Sequence, residues 1–154
     1  MEDTRKTAYT FSDYVYWNLM LAVPVVTALS AIFSRSVPWG VAYLAASLIL
    51  VGVLLRFFCS HCPHYTREGG RVYCIFYWGL PKWFQPRTEP PTPIDHAISV
   101  GAVFLWGLFP MYWLFNDPGL LIIYLVSLVT FGWTMKKTEC RHCIYEECPA
   151  NCSR

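Results

Sequence analysis

A chain of 154 residues has about the length of one domain, yet 55% hydrophobic and 18% aromatic residues with only 14% charged ones is far from the make-up of a soluble domain. A formal net charge of +2 gives no case for nucleic acid as a partner, because that needs basic residues gathered on one binding face. The composition points instead to the lipid bilayer.

Four apolar stretches, 14–33, 37–58, 97–115 and 118–135, are almost free of ionisable side chains. A bilayer core about 30 Å thick requires roughly 20 residues of helix, so all four are predicted to span it. The first follows Arg5 and Lys6, as a signal peptide would. Its apolar run is longer than a signal peptide's, however, and Ser34-Arg35-Ser36-Val37-Pro38 leads straight into the second span without a small-x-small cleavage pattern. The helix is therefore expected to be retained. Pro24 and Pro110, inside the first and third spans, should each remove one backbone hydrogen bond and kink the helix. Asp13 and Asp95 stand near helix starts, where carboxylates complement the helix dipole. Pro118 suits the first turn of the fourth span, because its missing N–H would be unpaired there anyway.

The expected fold class is thus all-α: a single polytopic membrane domain, 1–154, with four transmembrane helices, a Cys-containing loop 59–94 and a tail 136–154. Four spans put the N-terminus, the loop and the tail on one side. Eleven of the twelve Lys and Arg lie there, and only Arg35 lies on the other. Lys and Arg near span ends are retained in the cytoplasm, so the chain is predicted to be a multi-pass protein of the cell membrane with both termini inside. All seven cysteines, Cys59, Cys62, Cys74, Cys140, Cys143, Cys148 and Cys152, fall on that reducing side. Clustered thiols there are more often metal ligands or catalytic groups than structural disulfides.

Within the loop, Ile75 to Phe84 is apolar and aromatic, broken by Gly79 and Pro81, and too short to cross. It is expected to lie in the membrane interface and press the first cysteine motif against the bilayer. Pro86 to Pro93 reads as an extended connector.

Laid side by side, the two helical hairpins read as an internal repeat. Pro38 opens the second span and Pro118 the fourth; the exits read Cys59-Ser60-His61-Cys62 and Cys140-Arg141-His142-Cys143, with Tyr65 and Tyr145 soon after. Both hairpins cross in the same sense, so a duplication would relate them by an axis along the membrane normal and is expected to bring the two motifs together.

Cys59-x-x-Cys62 with Cys74 offers three thiolates, and His64, or less readily His61, could add a fourth donor; Cys140, Cys143, Cys148 and Cys152 make four by themselves. A Cys-x-x-Cys turn lets two sulfurs reach one tetrahedral centre about 2.3 Å away. Structural zinc is the expected cofactor, since it folds polar segments too small for their own core. An iron–sulfur cluster is the alternative, because Cys148-Pro149 echoes the end of the bacterial ferredoxin run, although the run's short regular spacing is absent. A dithiol switch is the metal-free alternative.

No ionisable residue lies deep within a span, which disfavours ion-coupled transport. His96 stands alone at a helix end, so a transmembrane haem lacks ligands. The Asp-His-His-Cys nucleophile motif of protein S-acyltransferases is missing, since Asp95-His96 runs into Ala97-Ile98. Quinone-linked disulfide-forming proteins carry their cysteine pairs on the opposite side. No catalytic residue is assigned; the function expected is a metal-binding membrane module that docks a cytoplasmic or membrane protein partner.

The residues Arg56-Phe57-Phe58-Cys59-Ser60-His61-Cys62-Pro63-His64-Tyr65, Gly79-Leu80-Pro81-Lys82 and Cys140-x2-Cys143-x4-Cys148-Pro149-x-Asn151 resemble a family of small prokaryotic four-helix membrane proteins. The resemblance implies the same four-helix plan and no particular activity. Its pattern ends at Asn151, implying three cysteines per hairpin, whereas spacing alone also offers Cys152.

Overall fold

A computed structural model of the protein describes residues 8–140. The chain forms α1 (Phe11–Phe33), α2 (Val37–Phe57), a short α3 (Pro63–Thr66), the strands β1 (Arg71–Tyr73) and β2 (Trp78–Pro81), then α4 (Pro93–Leu108), α5 (Met111–Leu114) and α6 (Pro118–Thr138). Four helical segments, Phe11–Phe33, Val37–His61, Pro93–Leu114 and Pro118–Thr138, are long and apolar enough to cross a membrane. The protein is an all-α polytopic membrane protein with one small hairpin of strand on its cysteine-bearing side.

The first and third spans begin earlier than their apolar runs. The cause is the same in both: Thr10 and Thr92 are N-caps, each accepting a hydrogen bond from the N–H three residues on, and Asp13 and Asp95 reach back to the cap backbone at 2.9 Å. These capping boxes satisfy N–H groups that would otherwise be orphaned, so each helix gains a polar first turn. The two prolines differ. Pro24 is buried within a continuous α1, whereas Pro110 separates α4 from α5 and its carbonyl accepts from Trp113 and Leu114 at 3.1 Å.

α1 packs against α6 and α2, and α2 packs against α4. The first helix of each hairpin therefore lies on the second helix of the other, the pairing that a two-fold repeat produces. A matched pair of residues also lies in the interior. Tyr43 on α2 and Tyr124 on α6, 81 positions apart like Cys59 and Cys140, are both fully buried. Tyr43 stacks on Trp106 and Phe109 at 5.5 Å. Ala28 and Ala31 let α1 come close in the same cluster, as small residues do between membrane helices.

Two side-chain hydrogen bonds cross the bundle. Trp106 Nε1 donates to Ser47 Oγ at 2.8 Å, tying α4 to α2, and the Tyr124 hydroxyl donates to the Gly107 carbonyl at 2.7 Å, tying α6 to α4. On the side away from the cysteines, Arg35 donates to the Asn116 carbonyl at 3.4 Å and links the two outer turns.

Tyr124→Phe is expected to remove one interhelical hydrogen bond while keeping the packing, lowering stability by about 0.6 kcal/mol and by no more than about 1.7 kcal/mol. Equilibrium unfolding in mixed micelles measures the difference.

Candidate functional site

At the end of α2, Phe58 closes the helix and the chain turns through a single 3₁₀ turn, Cys59–His61. The Cys62 N–H donates to the Cys59 carbonyl at 2.9 Å, which closes the Cys-x-x-Cys turn, and Cys62 leaves in an extended conformation. Pro63 can then open α3, where its fixed φ and missing N–H suit the first position.

The third cysteine arrives by another route. β1 and β2 pair antiparallel with Arg71 opposite Pro81 and Val72 opposite Leu80, while Tyr73 faces Trp78. Gly79 is the extra residue of this bulge and holds a φ of 73°, a conformation that costs glycine little. Between the strands, the Cys74 N–H donates to the Tyr77 carbonyl at 2.8 Å, while the Phe76 and Tyr77 N–H groups point back at the Cys74 sulfur. The tip of this turn is anchored to the bundle. Asn18 of α1 donates to the Ile75 carbonyl at 3.0 Å, and Phe76 lies 6.3 Å from Phe131 of α6, whose other neighbour is Trp17.

As a result Cys59, Cys62 and Cys74 pack into one nest around Leu55, Tyr65 and Val72, with Tyr77, Leu80 and Phe84 beside them. The Tyr65 hydroxyl fixes the lid of the nest, donating to the Phe84 carbonyl at 3.0 Å and accepting from the Phe84 N–H at 3.1 Å. The aromatic segment Ile75 to Phe84 is in part the strand β2, and its Tyr77, Leu80 and Phe84 pack with the cysteines against the same apolar cluster. None of the three is in a disulfide. Burial pushes the Cys74 thiol above its ordinary range, and the two N–H groups on its sulfur oppose that by favouring the thiolate. Burial, then the neighbouring Cys59 and Cys74, push the Tyr77 phenol up as well.

The histidines stand elsewhere. His61 is buried, and its Nδ1 meets the Glu89 carbonyl at 2.8 Å, so that nitrogen donates. Its Nε2 is 3.5 Å from Arg87 and 3.8 Å from Asp95, and Arg87 is 3.9 Å from the other Asp95 oxygen. This triangle fastens the end of α2 to the start of α4, with the Arg87 N–H donating to the Ser60 carbonyl at 2.8 Å. His64 sits on α3, buried, with its ring 4.8 Å from Tyr9. Burial and then Arg67 lower its pKa, so the imidazole is neutral at pH 7.

Cys140 follows the foot of α6, which packs chiefly on α1 rather than on α2. Cys143, Cys148 and Cys152 lie outside the described residues. Among the described residues, no group of three or more His, Cys, Asp or Glu side chains is arranged to hold a metal ion.

The sequence reading missed the tie from His61 through Arg87 to Asp95, the Asn18 anchor and the role of Tyr77 beside the thiols. Asn18 carried the one available signal, as a lone amide near the start of an apolar span. Comparison with protein-family models, with curated proteins and with solved structures gives no match.

In metal-free protein, Cys74 is expected to alkylate slowly at pH 7 and faster as pH rises past the free-thiol value of about 8.5. The sign follows from linkage. A thiol whose folded pKa is raised contributes stability that is fully present below the unfolded pKa and is lost as pH climbs through the folded one. Peptide-resolved mass spectrometry after timed alkylation measures the rate, and thermal midpoints across the same pH series should fall in parallel.

Proposed function

We propose that this integral membrane protein carries a zinc–thiolate centre built on Cys59, Cys62 and Cys74 at its cytoplasmic face, and that the centre organises a docking module for a protein partner. The observation that supports this reading is that Cys59 and Cys62 of a Cys-x-x-Cys turn and Cys74 of the strand hairpin pack against the same apolar cluster of Leu55, Tyr65 and Val72. Two backbone N–H groups directed at the Cys74 sulfur favour its thiolate, the form that binds metal.

Zinc would draw the three sulfurs to about 2.3 Å, tightening the nest and releasing the thiol protons as it binds. The fourth position is open to a tail thiolate, Cys140, Cys143, Cys148 or Cys152, or to a donor from the partner. The second three-cysteine set of the tail then serves the second hairpin in the same way. The cytoplasmic placement rests on the eleven basic residues that share this side of the spans. A reducing compartment keeps such thiols available to a metal.

Thiol chemistry is the second reading, supported by the Cys59-x-x-Cys62 turn, which places two thiols outside any disulfide on one short segment. It would use the Cys59-x-x-Cys62 pair as a dithiol switch.

Elemental analysis and an absorption spectrum of anaerobically purified full-length protein separate these readings, measured beside Cys62→Ser and Cys74→Ser. About one zinc per three-cysteine set, no visible band and loss of zinc in both variants are expected. Iron with sulfide and a broad visible band would replace the module with an electron-transfer centre. No metal at all, with the cysteines reactive to thiol reagents, would leave the dithiol reading.

A further inference from the structure

The two middle residues of the Cys59-x-x-Cys62 turn carry no thiol, and both are buried and held from outside the nest. The Ser60 carbonyl accepts from the backbone N–H of Arg87 at 2.8 Å, and the His61 imidazole meets the Glu89 carbonyl at 2.8 Å through Nδ1. The Pro-rich connector 86–93 thus fastens the cysteine turn at both positions between its sulfurs. His61, which the sequence offered as a metal donor, serves here as a handle.

From that handle the contacts continue to the third span. Arg87 Nη1 is 3.5 Å from the imidazole Nε2 and 3.9 Å from Asp95 Oδ1, while Asp95 Oδ2 lies 3.8 Å from the same imidazole nitrogen. Asp95 is itself fixed. Its Oδ2 accepts from the Thr92 N–H at 2.9 Å and from the Thr92 hydroxyl at 2.7 Å, and its carbonyl accepts from the Ser99 hydroxyl at 2.8 Å. One buried carboxylate therefore closes the first turn of α4 and also faces the handle of the cysteine turn. Leaving such a charge unpaired is costly, so displacing one member of this network strains the rest.

We infer that Arg87 and Asp95 are positioning residues of the Cys59-x-x-Cys62 turn, acting through His61, and that they couple the state of its sulfurs to the first turn of α4. Metal binding or release at the nest is then passed to the third span. The inference rests on the metal reading for its effector, whereas the coupling resides in the contacts themselves. Partners that orient the ligands of a metal site are worth about tenfold to a hundredfold in affinity. By linkage the effect runs both ways: a variant that uncouples the turn binds metal more weakly, and metal no longer steadies α4.

The test compares the full-length native chain in micelles with D95N, R87Q and D13N. D13N opens the matching capping box on α1 and leaves Arg87 and Asp95 in place. R87Q replaces a partly exposed side chain and keeps the backbone N–H that Ser60 uses, so it carries the comparison if D95N does not fold. Zinc affinity is read by chelator competition, and hydrogen exchange of residues 92–99 is followed with and without zinc. Zinc should slow that exchange in the native chain and in D13N; in D95N and R87Q it should bind at least about tenfold more weakly, and the slowing should be lost. Equal affinity and equal slowing in all the proteins would overturn the inference. The same losses in D13N would reduce them to a general effect of helix capping and overturn it too. A native chain that takes up no zinc would sink the metal reading alone. Phenylarsine oxide, which bridges two thiols with loss of one water, then loads the turn in place of zinc. The same pattern of affinity and exchange, mapped to the peptide that holds Cys59 and Cys62, would uphold the positioning role, and a flat series would overturn it.

Discussion

A bilayer core offers no water to pair with backbone N–H and C=O groups, and this constraint sets the whole architecture. It permits the four spans only as helices, and it explains where irregular backbone is allowed. The break at Pro110 falls near the end of the third span, and the carbonyl of that proline is taken by Trp113 and Leu114. Several polar side chains that enter the spans are likewise paired, although the buried Tyr43 hydroxyl is not: Ser47 accepts from Trp106 and donates to the Tyr43 carbonyl, and Thr27 bonds the Val23 carbonyl. All strand and all glycine-dependent backbone among the described residues lies beyond the spans, in the loop between the second and third. The candidate chemistry gathers in that loop because only there can the chain turn freely.

The spans, the hairpin plan and the capping role of Asp13 and Asp95 were legible in the sequence, because runs of apolar residues and acidic first turns are local signals. Helix starts were less so. A capping box adds a turn that hydropathy does not count, which moved the start of the first span to Phe11 and of the third to Pro93. The strand pairing of residues 71–73 with 78–81 was hidden, since strands of three and four residues with a bulge between them lack a readable alternation. The site divides the same way. Cysteine spacing announced Cys59 and Cys62 as a pair, and the loop supplied Cys74. Which histidine goes where depended on contacts with residues distant in sequence, 28 positions for His61 with Glu89 and 55 for His64 with Tyr9, so His61 and His64, three positions apart, have different partners.

The two hairpins are alike in some features and different in others. Matching Thr-x-x-Asp caps, buried tyrosines and cross-hairpin packing follow the two-fold plan through the spans. The loop breaks it. Its strand hairpin and its aromatic plug follow the first hairpin, and the plug leans on α6 of the second through Phe131. In this way one half of the molecule supplies the cysteine turn and both halves help to place the third thiol.

The Asn18 and Phe131 anchors give the thiol nest a mechanical character. Cys59 and Cys62 are continuous with α2, so they move with that helix as a rigid lever. Cys74 is tied through Ile75 and Phe76 to α1 and α6. Sliding α1 along α2, as when a thinner or thicker bilayer changes helix tilt, shifts one sulfur against the other two. The relative placement of the three thiols is thus set by three helices of the bundle, and not by the loop alone.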